Sequence, residues 1–322
     1  WLPELTLQEE RSMLAQAQSL DFPFYRQPTP GFGFECLYAV EPDVKALTSV
    51  STEELYGDLA HSGVVIYRDF SDTLQDFNDF VSAHSSRVTF DPARTTSTAN
   101  TAEIIAGLHE MCLHRENGNL PFNPDIQWFF CLEAASVGSE TTMCDGQKVL
   151  FDLSSKTRKL FENTPIKYSR RIPWNNVKRF LSVELERPLE DITDEHLELV
   201  NQKVTGQTYR RIDQNLIHSQ LIISAVETSC FGGKQAFCNS MLGPSVNYEP
   251  PRITWENGDD ISLDIWDELK DVTARNTYSH FWKKGDIVVI DNTRVMHGRR
   301  RLDDQSRRIF GAQSYRVGGI DQ

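Results

Sequence analysis

A chain of 322 residues with a formal net charge of −13 and a pI near 5.1 makes a poor partner for a polyanion, because neutralising phosphates takes Lys and Arg clustered across a face. At 39% hydrophobic and 25% charged residues it carries enough apolar matter for a sizeable core, which excludes a disordered chain, and no stretch approaches the roughly 20 apolar residues that span a bilayer. Six cysteines without a CxxC pair, several in apolar runs such as Trp128 to Leu132, suit free, buried thiols in a reducing, cytoplasmic setting. The sequence opens on Trp1 rather than Met, as it would if an upstream segment had been removed.

In chain order, Leu7 to Leu20 repeats apolar residues at helical spacing and stops before Pro23. Gln27 to Gly33 is rich in Pro and Gly and predicts a loop. Gly63 to Tyr67 is a β-branched run that predicts a buried strand, followed by a helix over Asp72 to Ser85 with Asp72 as its cap. Arg87 to Ala106 is small and polar, a candidate lid. Ile126 to Leu132 predicts a core strand, and Gln147 to Glu162 a helix. A helical insertion is expected over about 173–204. Strands follow at Leu221 to Ala225, Gln235 to Cys238, Asp286 to Ile290 and Arg308 to Tyr315, broken by one helix from about Ile261 to Phe281.

Short strands with inserted helices and no βαβ alternation favour a mainly β fold with helical additions, a sandwich or jelly roll, built as one domain over 1–322. Gly31-Phe32-Gly33 lacks the third glycine of a dinucleotide-binding loop, and no phosphate loop is present.

Cys112-Leu113-His114-Arg115-Glu116-Asn117 carries the first chemical signal. On an extended strand residues i and i+2 share a face, so His114 and Glu116 can offer an imidazole and a carboxylate to one ion. The apolar run Ile287 to Ile290 then leads to His297. Two histidines and one carboxylate leave three positions open on an octahedral metal, as Fe(II) oxygenases require. His-x-Glu alone is a common accident. Arg308, eleven positions beyond His297, adds weight, because a guanidinium grips a carboxylate through two parallel hydrogen bonds and a dicarboxylate co-substrate needs such a grip. His109-Glu110 is a decoy, since adjacent residues on a strand face opposite ways. Single histidines such as His218, the surface pair Arg210 and Arg211, and Asn239 are read as structural. Arg299-Arg300-Arg301 is divided evenly between a solvated turn and a role near a carboxylate-bearing ligand.

At these residues the chain resembles the taurine dioxygenase-like (TauD/TfdA) family of Fe(II)/2-oxoglutarate-dependent oxygenases, including its clavaminate synthase-like members. The match runs from His114-Arg115-Glu116 through Pro121-Phe122-Asn123-Pro124-Asp125 and Gly138-Ser139-Glu140-Thr141 to Asp286–Arg299 and Arg308. The resemblance implies a double-stranded β-helix core, iron on His114, Glu116 and His297, and 2-oxoglutarate held by Arg308 with the Thr141 hydroxyl. It implies O2 as co-substrate, with succinate and CO2 released, and a small-molecule substrate that is an amino acid or an amino-acid-derived natural-product intermediate, free or tethered to a carrier protein. Asn117 and Asn119 stand close enough to the metal carboxylate to meet it. Hydroxylation, desaturation and cyclisation stay open, whereas the presence of Glu116 argues against halogenation. An alkyl sulfonate or other small acid is the alternative substrate. A zinc hydrolase and a non-catalytic jelly-roll binding protein are the alternatives outside the class. The family's double glycine is Gly138-Ser139 here, and a further arginine that many members carry four residues after the co-substrate arginine is Ala312.

Overall fold

The computed structural model describes residues 24–39, 46–70, 73–89, 100–104, 107–244 and 249–318. The helix expected at Leu7 to Leu20 and most of the candidate lid lie outside them.

The larger sheet has eight strands: β1 (Phe24–Pro28), β2 (Glu35–Ala39), β3 (Val64–Arg68), β4 (Arg87–Thr89), β5 (Ala102–Glu103), β7 (Ile126–Glu133), β16 (Ile287–Asp291) and β18 (Arg308–Tyr315). Their order is β1-β2-β3-β16-β7-β18-β4, with β5 also on β18, and every pair is antiparallel except β2 with β3. A smaller sheet, in the order β15-β8-β17-β6, consists of β15 (Thr277–His280), β8 (Thr141–Asp145), β17 (Val295–Arg299) and β6 (Met111–His114). Side chains alternate across each strand, and the two sets bury separately. Val64, Ile66, Phe129, Cys131, Val288, Ile290 and Ile309 of the larger sheet meet Met143 and Val295 of the smaller one in a shared core. Val65, Tyr67, Trp128, Phe130, Val289 and Phe310 point the other way, under the helices Thr52–Ser62 and Leu74–Ala83. Burial on both faces is why the central strands read as unbroken apolar runs.

Two sheets facing each other across one core form the jelly roll expected. A third sheet, in the order β10-β11-β9-β14, is made of β9 (Ile166–Pro173), β10 (Gln207–Arg211), β11 (Leu216–Ile223) and β14 (Arg252–Trp255), while β12 (Val226–Thr228) and β13 (Gln235–Phe237) pair by themselves. Between β9 and β10 run the helices Trp174–Glu184 and Asp194–Lys203 with a short 3-10 turn, whose apolar faces pack on Ile172, Tyr209 and Ile217. Among the described residues no helix is long and apolar enough to cross a membrane.

Several element boundaries differ from the sequence reading. Gln27 and Pro28 belong to an edge strand rather than a loop. The helix expected from Asp72 begins at Leu74, with the Thr73 hydroxyl accepting from the Asp76 N–H. Gln147 to Glu162 is two helices, Gly146–Asp152 and Ser155–Asn163, because the chain is extended at Leu153 and Ser154 caps a new start. The helix expected to reach Phe281 ends at Arg275, and Thr277–His280 forms a strand on β8. All six cysteines are free, though Cys112 is exposed rather than buried.

Candidate metal centre

Register places the ligands. In the β17–β8 pair His297 lies opposite Met143 and Arg299 opposite Thr141. Met143 and Val295 face the core between the sheets, whereas Cys144 and Met296 face away from it. His297, Arg299, Met143 and Thr141 therefore share the inner face. β6 brings His114 directly across from His297, and their rings stand 4.5 Å apart. Gly298 makes this approach possible, since a Cβ there would sit 2.4 Å from the Met111 carbonyl oxygen.

Glu116 gets there differently from the way the sequence suggested. β6 ends at His114 and Glu116 lies in the turn that follows, so strand alternation does not aim its carboxylate. The turn is buried, and its main chain is held by the Asn292 side chain. The outcome is nonetheless a three-residue cluster. One ligand atom from each of His114, Glu116 and His297 lies within 4.8 Å of the others, and His297 Nε2 is 3.5 Å from a Glu116 carboxylate oxygen. His114 Nδ1 meets the Cys112 carbonyl at 2.9 Å, which leaves Nε2 for an ion and fixes the ring's tautomer. Phe129 packs edge-on against the His297 ring at 5.3 Å. Two imidazoles and a carboxylate suit iron, but zinc accepts the same set. The rest of the pocket has to discriminate.

Arg308 does not reach the site. It is exposed, forms an ion pair with Glu103 on β5 at 3.0 Å and lies over the Phe310 ring, on the face of β18 that points away from the metal. Arg307 turns inward instead. Its Nε is buried without a hydrogen-bond partner among the described residues, and burial together with the nearby charge of Arg299 draws its pKa down to about 10. Arg299 is buried too, and desolvation lowers its pKa. It donates to the carbonyls of Gly107 and His109 at 2.9 and 2.7 Å. Both guanidinium groups are thus drawn out of water, and they lie near enough for the charge of Arg299 to act on Arg307. Arg300 and Arg301, by contrast, are surface residues paired with Glu110 and Asp303.

Thr141 stands on the inner face opposite Arg299, 2% exposed, and its hydroxyl accepts from Trp282 Nε1 at 3.1 Å. A second set of polar groups lies beyond Glu116. Asn119 is buried, its side-chain oxygen makes a long 3.4 Å contact with the Arg170 guanidinium, and its Nδ2 has no hydrogen-bond partner among the described residues; the same holds for Nδ2 of Asn117. Arg170 sits on β9 between Tyr168 and Ile172, facing inward. Sequence reasoning passed over Arg170, Arg307, Trp282 and Asn292. Of these only Arg307 left a signal, as the neighbour of the arginine that was chosen. The decoys stay outside the cluster: His109 and Glu110 are exposed, and the Asn239 amide serves Ala225 and Met241.

A family model described as taurine catabolism dioxygenase TauD, TfdA family matches residues 25–313. The chain belongs to this family. It is a dioxygenase that uses iron and 2-oxoglutarate, and His114, Glu116 and His297 form a cluster able to hold such a metal. Among curated proteins it is similar to the dapdiamide synthesis protein DdaC of Enterobacter agglomerans, 22% identical over 287 residues, 82% of this chain and 83% of the relative. It is also similar to the 3-((Z)-2-isocyanoethenyl)-1H-indole synthase of Fischerella ambigua, 22% identical over 60% of this chain and 61% of the relative. Among solved structures it shares the fold of PvcB from Pseudomonas aeruginosa, with a TM-score of 0.58 at 14% identity over 92% of each chain.

Proposed function

We propose that this dioxygenase oxidises an aliphatic carbon of a small amino-acid-derived natural-product intermediate, with iron on His114, Glu116 and His297 and the far carboxylate of 2-oxoglutarate on Arg307 and Thr141. The observation that carries the co-substrate reading is a spacing. Arg299 and Thr141 lie one strand repeat, about 7 Å, along the inner face from His297 and Met143, a fitting reach for a five-carbon diacid chelating a metal at one end. When bound, iron, 2-oxoglutarate and O2 supply oxidative decarboxylation to succinate and CO2 together with an oxidant strong enough to attack an unactivated carbon.

The chain's own groups bind, orient and keep water out. An indole N–H only donates, so Trp282 occupies a lone pair of the Thr141 hydroxyl and leaves its proton to point at a carboxylate. Phe129, Met143 and Ile309 line the space between the sheets with apolar surface, which strengthens the charge contacts made there.

Three things support an amino-acid-derived substrate. DdaC and the isocyanoethenyl-indole synthase are named for natural products, and PvcB is described as an oxygenase from an isonitrile synthetic pathway. Arg170, Asn119 and Asn117 place a cation and two amide donors just past Glu116, suited to an acid group on the substrate. Counted from Arg307, the family's further arginine falls at Gly311, which offers no charge to a sulfonate. The test is succinate release with 2-oxoglutarate and O2 across free amino acids, their N-acyl derivatives and carrier-tethered forms, with taurine alongside. Stimulation confined to amino-acid derivatives is expected; stimulation by taurine alone would sink the substrate reading.

A further inference from the structure

We infer that Asn292 is a positioning residue for the metal carboxylate, its side-chain amide clamping the main chain of Glu116 and so fixing where that carboxylate stands relative to His297. The inference rests on the metal site above. Asn292 is fully buried in the turn between β16 and β17, five residues ahead of His297. Its Oδ1 accepts from the Glu116 N–H at 2.8 Å, and its Nδ2 donates to the carbonyls of Glu116 at 3.1 Å and Pro124 at 2.8 Å. Both amide hydrogens and the carbonyl are thereby used, and every partner is main chain.

The need for the clamp follows from the local fold. Past His114 the chain leaves the sheet, so Glu116 has no ladder partner for its N–H and C=O, yet the residue is only 7% exposed. A buried peptide group without partners is costly and would drive the turn to rearrange. Neighbouring restraints act on Arg115: its N–H donates to the Asn239 carbonyl, and Ser240 Oγ donates to its carbonyl. Asn292 is itself anchored, its N–H donating to the Asp125 carbonyl at 3.0 Å. One side chain thus couples the hairpin that delivers His297 to the turn that delivers Glu116. An amide is required, because a carboxylate at this position would face two carbonyl oxygens and an apolar group would leave three main-chain groups unpaired.

The test titrates metal-free protein with Co(II), whose ligand-field absorption reports coordination geometry, in wild type, Asn292→Asp and Asn292→Ala. Ser229→Ala serves as the comparison, since it removes a hydrogen bond to Asp291 in the same turn without touching Glu116. Both Asn292 variants should bind Co(II) about 10–100-fold more weakly, with a changed absorption spectrum, as when groups behind a metal ligand are lost. Ser229→Ala should lower the melting temperature yet keep wild-type affinity and spectrum. Should Asn292→Ala fail to fold, Asn292→Asp, which keeps the size and the acceptor for Glu116, decides. Wild-type affinity and spectrum in the Asn292 variants, or equal losses in Ser229→Ala, would overturn the clamp. Wild-type protein that takes up no Co(II) would overturn the metal site and the clamp together.

Discussion

Arg307 and Arg308 are neighbours in the chain and opposites in the structure: Arg308 lies exposed over Phe310 and pairs with Glu103, while Arg307 is turned inward towards Arg299. Of the two, Arg307 holds the co-substrate in the reading proposed above. Arg307→Lys, which keeps the charge but loses the two-pronged grip, should raise the KM for 2-oxoglutarate at least about tenfold, the equivalent of roughly 1.4 kcal/mol. Arg308→Ala should change it less than about twofold, as expected for an exposed pair. Initial rates of succinate formation check both, and the reverse ranking would return the role to Arg308.

On the co-substrate reading proposed above, Trp282 acts through Thr141, to whose hydroxyl it donates. Trp282→Phe keeps the ring packed against His280 and Phe129 but frees the Thr141 hydroxyl to rotate. Losing one such hydrogen bond is worth about 1 kcal/mol, so the Kd for 2-oxoglutarate should rise about fivefold with iron affinity unaltered. Isothermal titration with 2-oxoglutarate under anaerobic conditions measures this, and an unchanged affinity would remove Trp282 from the site.

His297→Ala removes one of two imidazoles from a three-ligand set. Iron stoichiometry after anaerobic loading and desalting should fall from one per chain to near zero, and succinate formation should stop. A variant that still retains one iron would place the metal elsewhere.

Asp286 is fully buried, and although burial alone would raise its pKa, Arg68 and His280 hold it below the usual carboxylate range. Arg68 grips it with two hydrogen bonds, at 2.8 and 2.6 Å. Arg68→Leu should destabilise the fold by about 3–5 kcal/mol at neutral pH, because a buried carboxylate loses its partner. A depressed native pKa gives stability that is present above the unfolded value, near 4, and lost as pH falls through the native one. The gap between wild type and variant in urea unfolding should therefore narrow on acidification below about pH 4. A gap constant with pH would mean that the pair is not the cause.

Arg170→Gln keeps a hydrogen-bonding side chain on β9 and removes the charge beside Asn119. With a substrate that stimulates succinate release, the variant should raise that substrate's KM about tenfold and leave the KM for 2-oxoglutarate within about twofold. Equal effects on both would assign Arg170 to packing.

The sequence by itself determined what is local or repeats along the chain. Unbroken apolar runs marked β3, β7 and β16 because strands buried on both faces have no polar side to show. That His114, Glu116 and His297 gather in one cluster was legible because a metal demands particular atoms, and few side chains carry them. Tertiary structure decided the rest. Spacing from His297 pointed to Arg308, but β18 turns Ile309 to the inner face and Phe310 to the outer one, so alternation leaves Arg308 outside with Phe310, and only packing against the other strands decides which face is inner. The strand β15 was hidden inside a helical pattern because its reason for being extended is β8, more than a hundred residues away. Asn292 carried no signal of its own. Its role exists only where the turn before β17 meets the turn after β6, since a hydrogen-bonding group acquires its task from what it is folded against.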